Sequence, residues 1–202
     1  MILLSGPPSS YSSLLLTHTQ FPVELAKSLT FLQREDIAAL SGIDPSSSVL
    51  DRIQMKYVDD EDGINKFFAA FHMHDVFPVL VIIDDLGEFF DERTCQQKHH
   101  SPRGRELAIV RTLALCQNAI NHANETGHCM LLLSDTHHGD TPRFLHIYKR
   151  WVNSIYTIKG DGIGSYILKS NSVRAKSAKY SISLQYLVLE AIYENEEQSQ
   201  IC

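Results

Sequence analysis

Short apolar runs alternate with helical patterns along most of this chain, and this alternation constrains the fold more than any other feature. The runs of strand length include Met1–Leu4, Leu29–Leu32, Val79–Ile83 and Cys129–Leu133. Val79–Ile83 is wholly apolar and rich in β-branched residues, as a strand buried on both faces requires. Strands separated by helices are typical of an α/β fold with a largely parallel sheet.

Two segments between these runs have the periodicity of helices. In Asp60–His72, apolar residues recur at i, i+3, i+4 and i+7 from Ile64 onward, which gives a helix one apolar face. Glu106–Ala123 predicts a second and longer amphipathic helix. We interpret the polar stretch Thr94–Gly104 before it as a loop.

The last third of the chain predicts an antiparallel end to the sheet. Three short strand patterns are joined by turns that contain Gly or Ser: Ser154–Lys159, Gly164–Ser170 and Lys179–Gln185. The next segment, Tyr186–Glu194, fits a strand or a helix equally well. We therefore predict one domain over residues 1–193 and a frayed tail over 194–202.

The composition is that of one globular domain. The chain has 202 residues, of which 44% are hydrophobic and 21% are charged. Its net charge of −6 argues against a general attraction to nucleic acid, although a local basic patch remains compatible with it. The four cysteines form no C-x-x-C pair, so we expect reduced intracellular thiols. The apolar run at the start is too short to span a membrane, and we expect no membrane partner.

The first strand runs directly into a degenerate phosphate-binding loop. In the motif G-x-x-x-x-G-K-[ST], Gly6 fits the first position and Ser13 fits the last. Tyr11 replaces the second glycine, and Ser12 replaces the lysine. Such a loop can still offer backbone N–H groups to a phosphate, but it lacks the cation that faces the β- and γ-phosphates. We therefore predict nucleotide binding at Gly6, Ser12 and Ser13, with ATPase activity uncertain.

A second acidic signal follows the most apolar strand, which ends in Asp84 and Asp85. A carboxylate at the carboxyl end of a buried parallel strand points into the crevice where ligands bind. Carboxylate oxygen is a ligand that Mg²⁺ prefers, so Asp84, together with Ser13, is the predicted magnesium site. The alternative is that these acids only cap a turn or a helix.

The densest basic segment of the chain supplies a candidate surface for single-stranded DNA. Lys98, Arg103 and Arg105 lie close together in sequence, and binding of a strand's backbone needs such cations. The alternative is an exposed polar loop without a ligand. A second basic group comprises Arg174, Lys176 and Lys179.

Ten histidines invite a metal interpretation, but their spacing does not support one. The candidate groups are Cys95 with His99 and His100, the pair His72 and His74, and the segment His137–Asp140. None has the C-x-x-C or H-x-x-x-H spacing that places ligands on one face. Solvated loops explain these residues better, and a metal-dependent hydrolase is the more distant alternative.

Three segments resemble a known family. They are Gly6-Pro7-Pro8-Ser9-Ser10, the segment Arg52–Tyr57 before an aromatic-rich helix, and Val81–Phe90. Together they resemble the SWIM-domain-associated RecA-like ATPase proteins, recombinase paralogues of Shu-type complexes, and a plant version most of all. By position, Gly6 and Ser13 match that family's phosphate loop, and Asp84 matches its magnesium carboxylate.

The resemblance implies a RecA-like P-loop NTPase core with a mostly parallel sheet and antiparallel C-terminal strands. It also implies ATP and Mg²⁺ as cofactors, a place in the nucleus, and a role in homologous-recombination DNA repair. The implied partners are single-stranded DNA, a SWIM-type zinc-finger protein and a RecA-type recombinase. We therefore expect a non-catalytic or weakly ATP-binding adaptor that supports the recombinase filament. The alternative is an active nucleotide hydrolase that uses an unusual phosphate loop.

Overall fold

The computed structural model describes residues 1–7, 29–33, 53–91, 98–136, 142, 144–160, 164–171, 176–183 and 186–194. These residues contain nine strands: β1 (Ile2–Gly6), β2 (Leu29–Gln33), β3 (Ile53–Tyr57), β4 (Leu80–Ile83), β5 (Met130–Thr136), β6 (Ser154–Gly160), β7 (Ser165–Ser170), β8 (Lys176–Ser183) and β9 (Tyr186–Glu194). They also contain four α-helices: α1 (Glu61–Ala69), α2 (Glu88–Asp91), α3 (Pro102–Thr126) and α4 (Leu145–Trp151). A short 3₁₀ helix spans Phe71–Met73.

All nine described strands belong to one mixed sheet. Their order across it is β3-β2-β4-β5-β1-β6-β7-β8-β9. Neighbours from β3 to β6 run parallel, and neighbours from β6 to β9 run antiparallel. The predicted α/β class, with a parallel centre and antiparallel C-terminal strands, is therefore confirmed.

The described helices cover one face of this sheet. Helix α1 begins at the N-cap Asp60, whose Oδ1 accepts a hydrogen bond of 3.0 Å from the Gly63 N–H. Its apolar spacing buries Ile64, Phe67 and Phe68, in one cluster with α3, α4 and the inward side chains of the central strands. Burial of each such aromatic or aliphatic side chain contributes roughly 1.5–3 kcal/mol.

The opposite face of the sheet carries a second, smaller apolar cluster. Its buried members come from β1, β4, β5, β6 and β8, and they are Leu4, Leu80, Ile82, Leu132, Ile158 and Tyr180. Adjacent residues of one strand alternate between the two clusters, since Leu3 lies in the first and Leu4 in the second. The central strands are thus buried on both faces, which explains why their sequences are continuous apolar runs.

Helix α3 begins earlier than the sequence pattern predicts. The Ser101 side chain caps it by accepting a hydrogen bond of 3.0 Å from the Gly104 N–H, and Pro102 occupies the first helical position. The interpretation of Thr94–Gly104 as a loop is therefore wrong for its last three residues, and also for Lys98, which is helical. As a result, Arg103 and Arg105 belong to the first turn of a helix.

Other predicted boundaries differ by smaller amounts. The ambiguous segment Tyr186–Glu194 is a strand, which extends one residue past the predicted end of the domain. Strand β5 continues to Thr136, beyond the predicted end at Leu133. Residues 195–202 of the predicted tail lie outside the described residues. Among the described helices, none combines the length and apolar character needed to span a bilayer.

Candidate functional site

The carboxyl ends of β1, β4 and β5 meet at one edge of the sheet because the three strands run parallel and β5 lies between the other two. The register places Gly6 beside Thr136, and Ser5 beside Asp135. The chain leaves β1 for β2 in one direction along the sheet and leaves β5 for β6 in the other. Each connection passes the other strand. In open α/β sheets, ligands bind in a crevice outside the carboxyl ends of the parallel strands.

The predicted phosphate-loop residues are only partly described. Gly6 is buried at the end of β1, and the Ser5 hydroxyl beside it donates a hydrogen bond of 2.9 Å to the Asp135 carbonyl. This bond ties the end of β1 to the end of β5 in addition to the strand ladder. Ser12 and Ser13 lie outside the described residues.

Asp84 lies where the sequence predicts, at the end of β4. It is buried, with 7% of its surface exposed, and its Oδ1 accepts a hydrogen bond of 2.5 Å from the Ser134 hydroxyl. The same hydroxyl oxygen accepts a hydrogen bond of 2.7 Å from the Asp85 N–H. Ser134 therefore holds both residues that follow β4, and a charge-assisted bond of this length is among the stronger kinds.

Asp85 turns the chain sharply after β4. Its φ angle is 49°, in the left-handed region that non-glycine residues seldom adopt. Its Oδ1 accepts a hydrogen bond of 3.0 Å from the Thr136 N–H, and the following Leu86 N–H donates one of 2.9 Å to the Ser134 carbonyl. These two bonds to β5 offset the strain, which typically costs about 1–3 kcal/mol at such a residue.

Asp135 is the most unusual group in the crevice, and the sequence analysis did not select it. Only 1% of its surface is exposed, and within the described part of the chain its Oδ2 has no hydrogen-bond partner. Burial, followed by the nearby charge of Asp85, raises its pKa to about 7. Interactions with the Tyr148 hydroxyl and the Gly87 N–H oppose that increase. The Asp135 carboxyl group therefore titrates near neutral pH.

Gly87 makes the close approach of this turn to β5 possible. A Cβ atom at this position would lie 2.2 Å from the Asp135 Oδ1. No carbon and oxygen that are not bonded to each other can be so close, so any larger residue displaces the carboxyl group or the turn. The lack of a side chain at Gly87 thus leaves the space that the buried carboxyl group occupies.

The crevice offers a metal ion few protein ligands. Across the described ranges, no three or more His, Cys, Asp and Glu side chains are grouped so that they could hold a metal. Asp84 can offer a carboxylate, which suits Mg²⁺ because that ion keeps several of its waters. Of the histidine groups, His74 packs against the rings of Phe67 and Phe71, while Cys95 and the segment 137–140 lie outside the described residues.

The predicted DNA-binding cations are in two different environments. Arg103 is exposed and Arg105 is half-buried in the first turn of α3. The Lys98 ammonium instead forms ion pairs with three carboxylates at the start of α1. The distances are 3.0 Å to Asp60, 3.3 Å to Glu61 and 2.9 Å to Asp62.

These acids dominate the electrostatics of Lys98. Hydrogen bonds, first to Asp62 and then to Asp60, raise the pKa of the ammonium group well above its usual value. Glu61 is almost fully buried, and its Oε2 has no hydrogen-bond partner among the described groups. These carboxylates therefore neutralise most of the positive charge of Lys98. In the second basic group, Lys179 lies 3.0 Å from Glu190, and Arg174 is outside the described residues.

In comparisons with known proteins, no family model and no curated protein matches this chain.

Proposed function

We propose that this chain is a RecA-like adaptor in homologous-recombination DNA repair that binds ATP weakly or not at all. One observation supports it most: the degenerate phosphate loop begins at the same carboxyl edge of the sheet as the acidic ends of β4 and β5. That placement is the one in which α/β proteins bind nucleotides. The role in recombination rests on the family resemblance of the three sequence segments.

The absence of a lysine from the loop sequence explains why partner binding, and not catalysis, is the proposed task. Ser12 occupies the position of the lysine that faces the β- and γ-phosphates, so the loop has no cation of its own there. Tyr11 adds a side chain where a glycine would let the backbone approach a phosphate. Asp84 would hold Mg²⁺ through water, with Ser13 as the second ligand. ATP and Mg²⁺ thus remain weak cofactors in this proposal.

Co-expression with a SWIM-type zinc-finger protein from a Shu-type complex tests the adaptor function. We expect a stable 1:1 complex and a higher unfolding temperature for the chain in the complex, because a ligand that binds only the folded state stabilises it. The measurement is size-exclusion chromatography with light scattering, followed by thermal unfolding. A monodisperse monomer whose unfolding the zinc-finger protein leaves unchanged would refute the proposal.

An active nucleotide hydrolase remains the alternative function. The observation in its favour is Asp135, a buried carboxyl group with a pKa of about 7 at the carboxyl end of β5, because a general base works best near its own pKa. A lysine or arginine from a partner would then have to replace the missing loop cation. Turnover of Mg-ATP by the purified chain, with and without its partner, separates the two functions.

If the chain binds single-stranded DNA as proposed, the basic residues should contribute unequally to that binding. Replacement of Arg103 and Arg105 by Ala should weaken binding. It should also make the slope of log K against log salt concentration shallower by roughly 1.4, since each lost phosphate contact lowers that slope by about 0.7. Lys98→Ala should change the slope much less, because Asp60, Glu61 and Asp62 already neutralise that charge. Fluorescence anisotropy with a labelled oligonucleotide, measured over a range of salt concentrations, gives both slopes.

A matched control for this experiment is Arg111→Ala, which removes an exposed charge further along the same helix. If Lys98→Ala lowers the slope by about 0.7, as the loss of one full phosphate contact would, the carboxylates at the start of α1 do not compete with DNA for Lys98. An unchanged slope in every variant would place the DNA surface elsewhere.

A further inference from the structure

Strand β9 forms one border of the sheet. Within the described residues it pairs with β8 alone, through eight of its nine residues, and a β-bulge leaves Glu190 out of the register. A border strand presents a row of backbone N–H and C=O groups that another strand can pair with. The borders of natural sheets are usually short, charged or covered, and a long apolar border strand is the exception.

The exposed side chains of β9 are unusually apolar. Four large residues of this strand are between 45% and 62% exposed: Val188, Leu189, Ile192 and Tyr193. Singly exposed apolar residues are ordinary on a protein surface, whereas a contiguous group marks a site of association. We call Tyr186–Glu194, with these four side chains, the β9 border.

The four side chains lie on both faces of the strand. Leu189 is opposite Tyr180, and Ile192 is opposite Ala178, so both continue the apolar face that is buried further into the sheet. Val188 and Tyr193 are opposite serines of β8, and they lie on the other face. An incoming strand would therefore meet apolar side chains above and below its own backbone.

The charges of β9 decide between a second copy of this chain and a different partner. The strand carries two acidic residues, Glu190 and Glu194, and no basic residue. Pairing of two copies along this border would join two strands that carry only acidic charged residues, and like charges directly across a strand pair are destabilising. Lys179, on the neighbouring strand, pairs with Glu190 at 3.0 Å, but the Glu190 side chain stays 34% exposed and can also meet a cation of a partner.

We propose that the β9 border binds an extended segment of another protein, which adds to the sheet as a tenth strand. The segment carries β-branched or other apolar residues together with Lys or Arg. Backbone pairing supplies the geometry of this recognition, and the alternating side chains supply its specificity. This surface is independent of the crevice, so it stands whether or not the chain binds nucleotide or DNA.

Two terminally blocked peptides test the proposal with the full chain. The first has the sequence Lys-Val-Thr-Val-Lys-Val-Thr-Val-Lys, and the second has Glu at the three Lys positions. We expect the first to bind about tenfold more tightly than the second, because electrostatic complementarity selects between strands of equal pairing capacity. Fluorescence anisotropy gives the affinities, and amide hydrogen exchange should show new protection in β9.

Neutral substitutions identify the surface without a change in net charge. Leu189→Ser with Ile192→Ser should reduce binding of the lysine peptide at least about fivefold, through the loss of apolar contact. The matched control is Met73→Ser with Val76→Ser, which alters two side chains that are 75% and 77% exposed elsewhere. This control should bind as the original chain does.

A third peptide separates strand pairing from simple charge attraction. It keeps the lysine sequence but carries N-methyl groups on alternate backbone nitrogens. These groups remove the hydrogen-bond donors from one edge of the extended peptide. Binding equal to that of the unmethylated peptide, or equal affinity for the lysine and glutamate peptides, would overturn the proposal. So would a peptide-free dimer that protects the β9 amides and that Leu189→Ser with Ile192→Ser dissociates, because the border would then bind a second copy.

Discussion

Replacement of Asp135 by Asn should remove a large part of the pH dependence of stability between pH 5 and pH 8. The folded state holds this carboxyl group with a pKa of about 7, well above the unfolded value of 3.8. Between these two values the folded protein keeps a proton that the unfolded chain has lost. Rising pH therefore favours the unfolded state in this window.

The size of the effect follows from the same two values. The free energy of unfolding of the original chain should fall by 1.36 kcal/mol per pH unit, or about 4 kcal/mol over the whole window. Asparagine has the same shape and no charge, so the variant loses this contribution. The free energy of unfolding of the variant, relative to that of the original chain, should rise by about 2–3 kcal/mol between pH 5 and pH 8.

Urea unfolding at a series of pH values measures this difference. Asp75→Asn is the matched control, because it makes the same change in charge on an exposed side chain. We expect the control to follow the original chain at every pH. Parallel curves for Asp135→Asn and the original chain would show that the buried group titrates at an ordinary pH, and that the crevice is better hydrated than its 1% exposure indicates.

Replacement of Gly87 by Ala should destabilise the protein by about 1–3 kcal/mol, the usual cost of an added methyl group in a packed site. The new Cβ would lie 2.2 Å from the Asp135 Oδ1, so the turn or the buried carboxyl group must move. Gly127→Ala is the control, since its Cβ would have its nearest neighbour at 3.9 Å. The free energy of unfolding in urea distinguishes the two variants.

A double variant shows whether Asp135 causes the loss at Gly87. Gly87→Ala combined with Asp135→Ser removes the carboxyl group that the new methyl group meets. The combined cost should be smaller than the sum of the two single costs by about 1 kcal/mol, because residues in contact do not act independently. Additive costs would mean that the backbone of the turn, and not the acid, opposes the methyl group.

The position of Asp84 could be predicted from sequence because its signal is local. A continuous apolar run predicts a buried strand, and the residue after it must lie at the edge of the sheet. The start of α3 carried an equally local signal in Ser101 and Pro102, but its basic neighbours were interpreted as a loop. Local patterns thus determined most of the described strands, and most errors fell at the ends of elements.

The role of Asp135 and the ion pairs of Lys98 could not be predicted in the same way. Asp135 approaches Gly87 and Asp85 only because β5 lies beside β4 in the sheet. No single segment of the sequence determines that strand order. Lys98 meets its three acids across 36 to 38 residues of sequence, through the packing of α1 beside α3. Both outcomes depend on tertiary contacts, which local periodicity does not encode.

The Ser134 hydroxyl connects the Asp84 carboxylate to the turn that follows β4. It has one proton, which it donates to Asp84, and the same oxygen receives the Asp85 N–H. A ligand that displaces the hydroxyl from the Asp84 Oδ1 would therefore also disturb the group that anchors the strained turn. Displacement of this hydroxyl would then be coupled to residues 85–87, and a spectroscopic label on that turn would report it.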